Sequence, residues 1–91
     1  MVQSDFDGIA IGINKALVTV ASIRDMNDEA EVERARAHNT SVATTAQHIA
    51  EELGVRHPEF DLNSFVDECG MEFGSDGKWR VPGGNFVPSW P

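Results

Sequence analysis

HPEFDLNSFVDECG, residues 57–70, decides how the rest of the chain is read. Proline cannot continue a helix and drives the residue before it toward an extended conformation, so His57-Pro58 marks a break. Asp61 stands where the cap of a helix beginning at Leu62 belongs. Leu62, Phe65, Val66 and Cys69 follow the i, i+3, i+4, i+7 pattern, one apolar face over two turns. Asn63, Asp67 and Glu68 take the wet side. Phe60 precedes the cap at a spacing from Phe65 that suits a hydrophobic staple, and Gly70 ends the helix.

Upstream of this closing unit the chain predicts two longer helices. The first is expected from Phe6 to Arg24, capped by Ser4 or Asp5, with Phe6, Ile9, Ile13, Leu17 and Val20 on one face. A second apolar set, Ile11, Val18 and Ile23, lies elsewhere on that cylinder, so the helix is either central or covered by a second copy of the chain. Gly8, Gly12 and Ala16 form a small-residue row, read here as allowing close backbone approach within the fold. Asp25-Met26-Asn27-Asp28 breaks the chain. Asn27 or Asp28 caps the second helix, with Glu31 in a capping-box relation if Asp28 is the cap. This helix is expected from Asp28 to Leu53, ended by Gly54, with Val32, Ala35, Val42, Ala46, Ile49 and Leu53 buried. Asn39 falls in the same series, inside the polar run His38-Asn39-Thr40-Ser41, which reads as a kink, a polar contact within the bundle, or a break; continuity is the favoured reading.

Downstream of Gly70 the pattern changes. Met71-Glu72-Phe73 and Lys78-Trp79-Arg80-Val81 flank a glycine-bounded turn and predict a small β-hairpin. Val81-Pro82-Gly83-Gly84 suits a type II turn centred on Pro82 and Gly83. The expected fold is mainly α: two long antiparallel helices, a short third helix and a small C-terminal β-hairpin or extended tail. The expected organisation is a helical domain over residues 1–70 and an aromatic tail over 71–91, packed on that domain or on a partner.

At 91 residues, one core is the limit; a chain this size buries roughly 60–65% of its unfolded surface. The net charge is −8 and unevenly spread. From Glu51 to Asp76 there are eight acidic residues and one base, Arg56, whereas Gly77 to Pro91 carries Lys78 and Arg80 and no acid. An acidic chain repels phosphate, which argues against direct nucleic-acid binding and against anionic membrane surfaces. A basic protein partner is compatible, as is plain solubility. A single cysteine rules out an internal disulfide and suggests a reducing, cytoplasmic setting. The first residues lack a basic stretch followed by an apolar run, so no secretory signal is expected.

No set of residues promises catalysis or a cofactor. Cys69 lies at a helix C-terminus on the apolar stripe beside Asp67 and Glu68, all of which disfavour a thiolate. His48 and Glu51 stand one turn apart, but a zinc site needs a third ligand, and neither His38 nor His57 is joined to them by a motif. Glu51-Glu52 and Asp67-Glu68 read as wet helix faces, not as an acid and base in separated environments. Gly83-Gly84 matches no phosphate-binding loop. The candidate interaction residues are therefore Trp79, Phe86 and Trp90, which either engage a partner or pin the tail to its own helices, and the acids Glu51, Glu52, Asp67 and Glu68.

Residues 48–70 resemble the end of small uncharacterised proteins from bacteriophages and prophages of actinobacteria. The likeness rests on Ala46, Ile49, Ala50 and Leu53 ahead of the proline break, then Pro58, Phe60, Asp61, Phe65, Cys69 and Gly70. It transfers no activity and implies a phage accessory protein made inside a bacterium. The expected function is non-enzymatic interaction, in its sharper form as an acidic inhibitor of a basic host or defence protein, the chain being a homodimer or larger oligomer. The alternatives are a virion or assembly component using the tail for subunit contacts, and a small-ligand-binding oligomer with a pocket lined by His38, Asn39 and His48.

Overall fold

One helix, α2 (Glu29–Arg56), sets the length of the molecule. Its 28 residues at 1.5 Å rise span about 42 Å, close to the 45 Å long axis of the fold. This computed structural model describes residues 2–89. Asp28 caps α2, its carboxylate accepting from the Ala30 and Glu31 backbone N–H at 3.1 and 3.3 Å. Glu31 does not complete a capping box; its carboxylate accepts from the Arg24 N–H instead. The helix is continuous through residues 38–41 and runs past Gly54, ending where His57 turns extended ahead of Pro58.

The buried line of α2 is Ala35, Asn39, Ala43, Ala46 and Ala50. Ala35, Asn39 and Ala46 belong to the expected series, but Ala43 and Ala50 take the places expected for Val42 and Ile49, which with Leu53 are half-buried at its side. Small side chains along the centre bring the other elements close, and the larger ones fill the flank.

α1 (Gln3–Lys15) runs antiparallel to α2. At one end the His38 ring nitrogen lies 2.7 Å from the Ala16 carbonyl; at the other, the Phe6 ring meets His57 and Phe60 edge-on. Neither Ser4 nor Asp5 caps the helix. Val2 holds that position, and Asp5 accepts from its N–H at 3.0 Å. The expected extension to Arg24 does not form. Val18-Thr19-Val20 is a β-branched run, and it pairs with the tail instead: Val20 N–H donates to Asn85 O, and Val87 N–H to Val18 O. A 3-10 turn over Val20–Ser22 follows. Of the second apolar set only Ile11 therefore lies on α1, and it is exposed. The Gly8 and Gly12 row makes no close approach within the chain, since a Cβ at either position would meet nothing within 4 Å.

α3 (Leu62–Glu68) forms as the sequence predicts. Asp61 accepts from Ser64 N–H at 3.2 Å, and the Phe60 and Phe65 rings stack edge to face at 5.2 Å. Gly70, at φ +77°, reverses the chain into the antiparallel hairpin β1 (Glu72–Phe73) and β2 (Trp79–Arg80). Its register places Glu72 opposite Arg80, and their side chains pair at 2.8 Å. Past β2 the left-handed residue is Gly84, not Gly83, so the turn centred on Pro82-Gly83 is not of type II. The tail folds back: Val81 N–H donates to Ser89 Oγ, and Ser89 N–H to Val81 O. Met71, Trp79 and Val81 share one core with Phe6, Ala10, Ala46 and Phe65.

Candidate docking groove

The ring contacts of Phe6, Phe60, Phe65, Trp79 and Phe73, edge-to-face except for the tilted Phe65–Trp79 pair, make an aromatic row from α1 to the hairpin. It begins in the core and ends on the surface, because Phe6 is fully buried while Phe73 is 43% exposed. Phe73 opens onto a groove of about 450 Å³ between the second half of α2, the start of α3 and the hairpin. α2 supplies Gln47, Ala50, Glu51, Gly54 and Val55, and Phe60, Leu62, Phe73, Gly77 and Trp79 line the rest. Trp79 is held there by its backbone N–H, which donates to Gln47 Oε1 at 3.1 Å.

Val55, Leu62 and Phe73 are exposed by 82%, 44% and 43%, and all three line this groove. Single exposed apolar residues are ordinary, whereas three that converge on one concavity make a contiguous apolar patch, the feature that distinguishes a candidate contact surface. Leu62 was expected on the buried stripe of α3; it stands at the helix's first position and faces the groove instead. Val55 and Phe73 drew no attention in the sequence. Val55 follows a glycine that reads as a helix stop, and Phe73 sits in a strand of two residues.

Of the predicted interaction residues, Glu51 and Trp79 line the groove. Trp79 is buried as its floor, and Phe86 is half-buried against the core. Trp90 lies outside the described residues. Glu52 pairs with Arg56 at 3.3 Å, and both lie on a second apolar depression of about 470 Å³ with His48, Ile49 and Leu53. That depression adjoins, through Thr45, another of about 420 Å³ between α1 and α2, where His38 lies. Asn39 does not join these histidines; it is fully buried and bonded to Val18 and Val87. Asp67 and Glu68 are exposed on α3, outside both depressions and the groove.

Cys69 is fully buried. Its surroundings, and secondarily the charge of Glu68, push its thiol up to about 12. Among the described residues no three His, Cys, Asp or Glu side chains gather as a metal site, and no helix is long and apolar enough to cross a membrane. No family model, curated protein or solved structure matches this chain.

Proposed function

We propose that this chain is a non-enzymatic interaction protein of phage type, which binds a host protein through the Val55–Leu62–Phe73 groove and blocks it. One observation carries this: three of the large apolar side chains left in solvent converge over Trp79 in a single concavity. A partner covering them removes apolar surface from water, worth roughly 25 cal/mol per Å² before association costs. The resemblance of residues 48–70 supplies the phage setting, and the tail supports this reading over a subunit-docking one. Up to Ser89 its hydrogen bonds and its Val87 side chain are engaged within the chain.

The test is affinity capture from an actinobacterial lysate with the parent protein and with a Val55→Ser, Phe73→Ser double variant. Circular dichroism confirms that both are folded. A protein retained by the parent and lost by the variant supports the reading. The same proteins on both, or none on the parent, overturns it.

A further inference from the structure

The groove's surroundings define the chemistry of what fills it. We propose that it takes a short basic segment of the partner, one large apolar side chain seated against Trp79 and Phe73, flanking Lys or Arg meeting Glu51, Asp61 and Asp76. This rests on the reading of the groove as a docking site.

Glu51 lines the groove itself. Asp61 immediately precedes Leu62, and Asp76 immediately precedes Gly77; both are exposed chain neighbours of residues that line the groove. Both carboxylates are held in place by the backbone: Asp61 Oδ1 accepts from Ser64 N–H and Asp76 Oδ1 from Lys78 N–H. A fixed carboxylate loses little side-chain entropy when a cation meets it. No Lys or Arg lines the groove. Of the bases beside it in the chain, Arg56 is paired with Glu52 and Arg80 with Glu72, and Lys78 is not among the lining residues. A neutral apolar segment would bury the carboxylates' surroundings without a counter-charge, which costs free energy. A second copy of this chain brings a net charge of −8 against the same carboxylates. A basic segment with an apolar anchor satisfies both the floor and the rim.

The probe is a random library of peptides of about twelve residues, a length that spans a groove of this kind, selected on the intact protein at low salt. Recovered peptides should share a large apolar residue close to two or more Lys or Arg. A synthetic copy should bind about tenfold more weakly to a Glu51→Gln, Asp61→Asn, Asp76→Asn triple variant, with a flatter salt dependence. The amides keep the cap and the turn. An Asp67→Asn, Glu68→Gln control should bind like the parent. Apolar peptides without bases that depend on Val55 and Phe73 would overturn the basic segment and leave the docking groove standing. Peptides that bind the Val55→Ser, Phe73→Ser variant as tightly as the parent, or no peptides at all, would overturn both. A parent dimer in light scattering that the same serine variant converts to monomer would place a second copy in the groove and overturn the basic segment.

Discussion

Asn39 and Val87 lie 48 positions apart, and the Asn39 side-chain amide donates to the Val87 carbonyl at 2.7 Å. The same side chain accepts from Val18 N–H at 2.8 Å and donates to Val18 O at 3.1 Å. One buried residue of α2 thus serves backbone groups on both extended segments, 18–20 and 85–87, as a further strand would. The polar run at 38–41 does not break α2 because its buried member is fully used.

Asn39→Leu keeps the approximate volume and strands the Val18 N–H and the Val87 carbonyl. Each buried backbone group left without a partner costs about 1–3 kcal/mol, so a loss of about 2–4 kcal/mol is expected in urea unfolding. A loss below about 1 kcal/mol would mean that water or a shifted tail replaces the amide.

Gly70→Ala is expected to destabilise for two separable reasons. The residue sits at φ +77°, where a Cβ is strained, and that Cβ would run into Asn14 Nδ2 and the Phe86 ring. Asn14 cannot simply leave, because it donates to Cys69 O at 3.0 Å and satisfies a carbonyl at the end of α3. Added to Asn14→Ala, Gly70→Ala should cost clearly less than in the parent, with the φ penalty of about 1 kcal/mol remaining. Strict additivity in the unfolding cycle would show that the clash is absent.

The short helix was legible because its signals are local. Pro58, the Asp61 cap, the Phe60–Phe65 staple and Gly70 all lie within one segment, as do the hairpin's Gly74 and Gly77. The end of α1 was not, because the 3.6-residue spacing of Ile9, Ile13 and Leu17 continues to Val20 while the backbone does not. What competes for Val18-Thr19-Val20 is a partner more than sixty residues away and Asn39 on another helix. The β-branched run was the one local hint. The groove was half legible. Glu51 and Trp79 were singled out, but Val55 and Leu62 were hidden by the assumptions that Gly54 stops α2 and that the Leu62 stripe is buried throughout.

Gly54 and Gly12 give a direct check on where α2 ends and on whether a second chain covers α1. Both are interior helix residues. A Cβ at Gly54 would make one ordinary contact, 3.8 Å to the Phe60 ring, and at Gly12 none. Alanine at either site should raise stability by about 0.5–1 kcal/mol through helix propensity alone. A destabilised Gly54→Ala would mean that α2 ends before this residue. A destabilised Gly12→Ala, with loss that depends on protein concentration, would reveal a second chain pressed against α1.

Cys69 makes the fold sensitive to alkali. The thiol's ordinary value of 9.0 is pushed up to about 12 by burial and by Glu68, so the folded chain keeps a proton that the unfolded chain has released. Stability from the neutral buried thiol is complete below pH 9 and is lost progressively as pH rises from there toward 12. Cys69→Ala removes this linkage and leaves a small cavity in exchange. The parent should therefore be the more stable protein at about pH 8, and its advantage over the variant should shrink by about pH 10.5 in paired urea unfolding curves. The other titrating groups are common to both proteins and cancel in the comparison. A parent–variant gap that stays constant across this range would mean that the folded and unfolded thiols titrate alike. The same burial predicts that a thiol reagent labels native Cys69 only as fast as the local structure opens, and at once in denaturant.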